Sequence, residues 1–318
     1  MDSSNLQKTN KKVGIVGVPL GFGAGKYGSE LGISAVRTAE IRGKYLPGHI
    51  EDLGYEVKDY GDTAVINPDY VAGKNDRPKY LKEIALASKN SFDKIKEIFN
   101  DGRMPVILGG DHSTAIGTFS GTASYFQDHS QEVGLLWFDA HADINTHKTS
   151  ESGNIHGMPL AVLLGKGETS LVNLGGFAPK LNPKYFAHVG VRDVDPGEKK
   201  MIDEFGIRRN FYTMSDIDRY GMVHCVEKAL EIASQAPAGF AVTFDVDVID
   251  PRFAPGSGTL VRGGITYREA HLALEMIAER GGMRSFEIVE VNPTLDSANI
   301  TVELAVELIL SALGKTII

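Results

Sequence analysis

Val133-Gly134-Leu135-Leu136-Trp137-Phe138-Asp139-Ala140-His141-Ala142-Asp143 is the stretch around which the chain is organised. The apolar run reads as a buried strand bounded by Gly134, and at its end Asp139, His141 and Asp143 alternate with two alanines. Three side chains of metal-ligand type thus fall at one strand terminus. Ligands bind at the carboxyl ends of the strands in an open α/β sheet, so a site is expected here before its chemistry is considered. Two carboxylates with an imidazole, and no thiolate, suit a borderline-hard divalent ion such as Mn2+ better than a structural zinc. Read alone, the same residues also fit a polar turn in which an aspartate caps a helix and the histidine is merely exposed.

Outward from this stretch the pattern repeats. Apolar β-type runs fall at 13–18, 55–60, 105–108, 133–138, 186–191, 209–212, 240–244 and 285–291, with helical patterns such as 80–99 and 216–234 between several of them. Strands alternating with helices imply βαβ units, and hence an α/β fold: a three-layer α/β/α arrangement around a mostly parallel, roughly eight-stranded sheet. Thr266 with Glu269 three residues on signals a capping box ahead of a helix, and Gly281 supplies its stop. The glycine-rich connections 21–28 and 256–264 are long enough to be active-site loops. Residues 1–10 are polar and expected to be a disordered tail. With no internal repeat and no Pro/Ser-rich linker, residues 11–318 are expected to form a single catalytic domain.

Composition narrows the function classes. A chain of 318 residues, 42% hydrophobic and 23% charged, is long enough to bury a sizeable core. Its formal net charge of −8 argues against a nucleic-acid partner, which needs a basic surface, and favours a cationic substrate. A single cysteine, Cys225, rules out an internal disulfide framework and agrees with a reducing compartment. The N-terminal residues show no apolar h-region, and no stretch is long and apolar enough to span a bilayer, so no membrane association and a cytoplasmic location are expected.

The residues just beyond each strand carry the functional reading. The run 105–108 leads into Gly109-Gly110-Asp111-His112-Ser113, the next ends in Asp139, His141 and Asp143, 240–244 leads into Asp245-Val246-Asp247, and 285–289 into Glu290. If these strands are parallel neighbours, their terminal groups gather on one rim, enough for two metal ions. Individually each signal has a plain alternative: Gly109-Gly110 as a turn, His112 as a packed or capping histidine, Asp245 and Asp247 as helix caps. A pair of carboxylates two residues apart on a strand is harder to dismiss, because both point to one face and repel unless a cation lies between them. Unpaired buried carboxylates are expensive.

The strings GGDHS (109–113), DAHADIN (139–145), SGNIHGMP (152–159), RDVDPGE (192–198), FDVDVIDP (244–251) and EVNP (290–293) closely resemble those of the arginases, in the ureohydrolase superfamily of binuclear manganese enzymes. The resemblance runs from about Lys12 to the C-terminus with the motifs in order. It implies the arginase/deacetylase-type fold, two Mn2+ per chain, a homo-oligomer (trimer or hexamer), and hydrolysis of L-arginine to L-ornithine and urea by a metal-bridging hydroxide. A related ureohydrolase acting on agmatine or guanidinobutyrate is the alternative.

The resemblance also implies roles position by position. One ion would be held by His112, Asp139, Asp143 and Asp245, and the other by Asp139, His141, Asp245 and Asp247. Glu290 matches the guanidinium-binding glutamate and His156 the proton-shuttle histidine, a task suited to a side chain titrating near neutrality. Asn145, Ser152 and Asn154 match positions that bind the substrate α-carboxylate, Asp195 and Glu198 those around its α-ammonium, and Thr259 is assigned to substrate binding. Asp195-Pro196-Gly197-Glu198 also reads as a turn opening a helix, and both readings can hold at once. Where arginases commonly have Gly-Leu after the Asp-Val-Asp pair this chain has Val248-Ile249, Ala142 replaces a frequent Thr or Gly, and Arg262 adds a charge in the loop after Thr259.

Overall fold

Among the described residues the chain forms eight strands: β1 (Lys11–Val18), β2 (Tyr55–Asp62), β3 (Met104–Gly109), β4 (Gly134–Phe138), β5 (Phe186–Val189), β6 (Phe211–Tyr212), β7 (Phe240–Asp245) and β8 (Met283–Val289). They form one sheet in the order β2-β1-β3-β8-β7-β4-β5-β6, and every pairing is parallel. The computed structural model describes residues 11–68 and 77–317, so the disordered tail expected over residues 1–10 lies outside the described residues.

Strand alternation sorts the core into two layers. On β4, Leu136 and Phe138 face one side with Phe244, Phe286 and Ile288, beneath the helices Met222–Ala233, Tyr267–Arg280 and Ile300–Ala312. Leu135 and Trp137 face the other with Ile107 and Ala241, beneath Leu81–Asn100 and Thr114–Asp128. Because both faces are covered, the central strands β3 and β4 read as continuous apolar runs, while β7 and β8 carry the buried polar residues Thr243, Ser285 and Glu287. The result is the expected three-layer α/β/α architecture.

Several boundaries differ from the sequence expectation for identifiable reasons. The helix expected over 216–234 is two, Met214–Tyr220 and Met222–Ala233, because Gly221 at φ 84° and ψ 155° ends one and starts the next. The strand expected over 209–212 keeps only Phe211–Tyr212: Arg208–Asn210 form a 3-10 turn, and the Asn210 amide donates to Pro183 O and Phe186 O. β8 stops at Val289 because Glu290 turns into the left-handed region at φ 63°. The capping box at Thr266 forms as its spacing suggests, with Glu269 N–H donating to Thr266 Oγ1 (3.3 Å) and Thr266 N–H to Glu269 Oε2 (2.8 Å).

Candidate metal centre and active site

The four central strands, β3, β8, β7 and β4, end side by side, and the groups beyond them meet on one rim. The pairing of ligand-type residues two apart does not come from the pleat. Asp139 lies past the end of β4, and Asp245 is the last residue of β7, ahead of the 3-10 turn Val246–Val248. Asp139 Oδ1 accepts from His141 N–H (2.7 Å) and Asp245 Oδ1 from Asp247 N–H (2.8 Å). Asp111 Oδ1 accepts in the same way from Ser113 N–H (3.0 Å) beyond β3. Each of these three strands therefore leads into an aspartate whose side chain folds back on the backbone two residues on, an Asx-type turn that brings the next side chain to the same point. Gly110 permits the close approach this requires at β3, since a Cβ there would sit 2.0 Å from Leu20 O.

His112 Nδ1 is buried without a hydrogen-bond partner, and carboxylate oxygens of Asp139, Asp143 and Asp245 stand 3.0, 3.1 and 3.3 Å from it. His141 Nδ1 lies 3.4 Å from Asp139 Oδ1 and 3.1 Å from Asp247 Oδ2. Two sets, His112 with Asp139 and Asp143, and Asp139 with His141 and Asp247, each bring their ligand atoms within 4.8 Å of one another. Ligand atoms about 2.1 Å from a common ion and at right angles lie about 3 Å apart, so this is the spacing of a coordination shell. The donor set fits a hard or borderline divalent cation, and Asp139 belongs to both groups.

The electrostatics agree. Burial raises Asp245 well above the usual carboxylate range and Asp143 to about 7, with neighbouring carboxylates adding to both. For Asp139 burial also acts upward, yet the close approach of the His112 and His141 imidazoles outweighs it and holds the group well down. Burial alone would depress both imidazoles, but the carboxylates around His112, and Asp247 and Asp139 around His141, reverse this and raise them. These shifts share one cause: four buried carboxylates crowd two imidazoles, so the cluster stabilises added positive charge.

Glu290 and His156 stand together, His156 lining the cleft and Glu290 buried behind it. Glu290 Oε1 accepts from His112 N–H (3.1 Å) and pairs with His156 Nδ1 (3.0 Å), while His156 N–H donates to Gly23 O (3.2 Å). Burial opposes the His156 imidazolium, but the hydrogen bond and charge of Glu290 prevail and push its pKa up to about 9. Asp143 (φ 50°) and Glu290 (φ 63°) both hold left-handed backbone that non-glycine residues seldom adopt.

The residues assigned to substrate line this cleft: Asn145, Ser152, Asn154, Asp195, Glu198 and Thr259, beside His141, Asp143, His156 and Asp245. Several are already engaged. Asp195 and Glu198 make a reciprocal capping box at the helix Pro196–Phe205, and Asn145 Nδ2 donates to Asp195 Oδ2 (2.7 Å). Asn154 Oδ1 accepts from Lys79 Nζ (2.8 Å), and Ser152 Oγ accepts from Asn154 N–H (3.1 Å). Thr259 Oγ1 donates to Asp247 Oδ2 (2.9 Å), so it braces a ligand-type carboxylate as well as lining the cleft. Burial, with Asp143 adding, pushes Glu198 up to about 8.

Val248 seats in the space that Gly190 leaves, where a Cβ would meet its Cγ2 at 2.3 Å. The Arg192 guanidinium secures the same turn by donating to Asp247 O (2.7 Å), Val248 O (3.0 Å) and Val261 O (2.7 Å). Arg262 is exposed in the loop beyond. Sequence reasoning left Asp111 unassigned, yet it is fully buried and holds Gly23 N–H at 2.7 Å, tying loop 21–28 to the site. It also passed over Trp137, whose ring stacks on His112 with centroids 4.3 Å apart and whose Nε1–H donates to Asp139 Oδ2 (3.0 Å).

The family model described as the Arginase family matches residues 11–314. The arginase of Bacillus subtilis (strain 168) is 44% identical over 310 residues, which is 97% of this chain and 100% of that protein. The native structure of the arginase from Bacillus caldovelox at pH 5.6 superposes with a TM-score of 0.90 at 41% identity, over 97% of this chain and 100% of that one. That of Entamoeba histolytica arginase in complex with L-ornithine gives 0.80 at 29% identity, over 96% and 99% of the two chains. Fold, motif order and full-length similarity coincide, and this chain belongs to the arginase family.

Proposed function

We propose that this chain hydrolyses L-arginine to L-ornithine and urea, with two Mn2+ ions held by His112, Asp139, Asp143 and Asp245 on one side and by Asp139, His141, Asp245 and Asp247 on the other. The observation that carries this reading is the rim itself: carboxylate oxygens at coordination spacing around a buried, unpartnered His112 Nδ1, with Asp139 common to both groups. An all-oxygen-and-imidazole donor set favours manganese over a thiolate-seeking ion. Bound there, a pair of divalent cations supplies a nucleophilic hydroxide at neutral pH and positive charge near the reacting carbon.

The chain's own groups do the rest. A guanidinium is planar, delocalised and permanently charged, so it must be held and its departing nitrogen must be given a proton. Glu290 presents a carboxylate to the cation. His156, raised to about 9, carries a proton at neutral pH and stands ready to deliver it to the leaving amine. Asn145, Ser152 and Asn154 serve the α-carboxylate, and Asp195 and Glu198 the α-ammonium, whose charge offsets the burial of Glu198. We further read residues 11–318 as one catalytic domain, working in the cytoplasm as a homo-oligomer, trimer or hexamer. Among the described residues no helix is long and apolar enough to cross a membrane, and Cys225 is a buried free thiol.

A urea-release assay on Mn2+-loaded protein with arginine, agmatine and guanidinobutyrate in parallel tests the substrate. Arginine should be turned over with by far the highest kcat/KM, and preference for either other compound would overturn the reading.

Selectivity has a sharper test, because Asp195 is a helix cap as well as a cleft residue. Asp195→Asn keeps a capping oxygen but removes the charge. Losing a hydrogen bond to a charged group is worth about 1.5–3 kcal/mol, so kcat/KM for arginine should fall roughly 10–150-fold, mainly through KM, with guanidinobutyrate, which has no ammonium, little affected. Equal losses on both substrates would mean that the loop had simply been disturbed.

A further inference from the structure

Glu287 interrupts the apolar run of β8, and it is buried at the middle of the sheet. Parallel register places it opposite Thr243 on β7 and Ile107 on β3. No lysine or arginine is paired with it among the described residues; both its oxygens are met by hydroxyls. Thr243 Oγ1 donates to Glu287 Oε1 at 2.8 Å, and Thr118 Oγ1, from the helix Thr114–Asp128, donates to Oε2. A carboxylate in such a place is costly, and simple packing would favour a leucine.

Hydrogen-bond direction defines the role of the group. A threonine hydroxyl has one proton, and an ionised carboxylate can only accept. With its proton given to Glu287, Thr243 Oγ1 can only accept from its other neighbour, His112 Nε2, at 3.0 Å. Nε2 therefore carries the hydrogen, and the lone pair of the neutral ring is left at Nδ1, the atom facing Asp139, Asp143 and Asp245. The stacked Trp137 ring holds the plane of the imidazole while the threonine sets its tautomer.

We infer that Glu287, acting through Thr243, is a positioning residue that fixes His112 as an Nδ1 donor toward one of the two cations. The inference rests on the metal reading proposed above and adds to it an asymmetry: the support reaches only the His112 side. His141 has no counterpart to this relay among the described residues, since its ring faces Asp139 and Asp247 and the cleft.

The test is a Mn2+ titration of the metal-stripped full chain by calorimetry, with free Mn2+ counted by electron paramagnetic resonance. Thr243→Val preserves shape but removes the acceptor. Glu287→Leu leaves Thr243 free to donate, and so to favour the wrong tautomer. Thr243→Ser restores the hydroxyl. Outer partners of metal-bound histidines typically change affinity 10–100-fold, so the first two variants should weaken one ion by about that factor and leave the other as in wild type, with Thr243→Ser returning to wild-type affinity. In a His141→Ala background, where the opposite shell is incomplete, Thr243→Val should weaken the remaining ion by a similar factor.

Equal weakening of both ions, or wild-type affinity in both Thr243→Val and Glu287→Leu, overturns the inference. Should Glu287→Leu fail to fold, the near-isosteric Thr243→Val decides alone. A wild-type chain that takes up no Mn2+ would refute the metal reading itself, and is distinguishable from a wild type that binds two ions while the variants do likewise.

Discussion

Replacing Asp139 with alanine should empty both metal positions and lower kcat/KM by on the order of 10³-fold or more. The size comes from three losses at one residue. Asp139 is common to both ligand groups, so each shell loses an oxygen. Its Oδ1 also accepts from His141 N–H, and without that turn His141 is no longer aimed. Its Oδ2 is braced by Trp137 Nε1–H, which would be left buried with nothing to donate to. Metal ions contribute several kcal/mol to such a transition state, and about 4 kcal/mol corresponds to roughly 10³-fold. His112→Ala and Asp247→Ala each remove a ligand proposed to serve one ion, and should keep the other. Elemental analysis after Mn2+ loading discriminates: two ions retained by Asp139→Ala would exclude it as a shared ligand.

His156→Ala should retain both ions and bind arginine, yet lose kcat by about 10²–10⁴-fold, the usual contribution of a positioned general acid. Its side chain reaches Glu290 rather than the carboxylates assigned to metal, so removal leaves those shells intact. The pH dependence carries a sign. Because the folded-state pKa is raised, to about 9, the imidazolium is fully present through neutrality and is lost as pH rises through that value. Wild-type kcat should therefore lose its proton donor on the alkaline side, and His156→Ala should lack that limb. Unchanged turnover in the variant would place the proton donor elsewhere.

Much of this architecture was legible in the sequence because the central strands are buried on both faces. Apolar runs at β3, β4 and β7, and a β8 run broken by Glu287, reveal themselves without alternation, and each is followed by chemistry-bearing residues. The order of strands was not legible, since nothing local in residues 283–289 says that this segment inserts between β3 and β7. The alternation of Asp139 with His141, and of Asp245 with Asp247, pointed to shared faces for the wrong reason: backbone turns, rather than the pleat, bring those side chains together. Asp111, Thr243 and Glu287 escaped notice because they act through other residues. The one signal in their favour was a glutamate within a strand otherwise fit for the interior. Gly221 looked like an ordinary helical glycine, and only its positive φ shows the break.

The position of β8 bears on how the molecule is made. Every other strand precedes it in the chain, yet it alone joins the β2-β1-β3 group to the β7-β4-β5-β6 group. During synthesis the two groups must wait, each with one unpaired apolar edge, until residues from Met283 onward have left the ribosome. Local helices and the β1–β3 pairing can form early, while the β3–β8 and β7–β8 ladders close last. Glu290 is delivered by the same event, so the nascent chain has no complete cleft to fill before its sheet is whole. Ribosome-stalled chains ending before residue 283 should accordingly be protease-sensitive and recognised by chaperones that capture exposed strand edges, whereas chains stalled well beyond the helix Ile300–Ala312 should resist digestion.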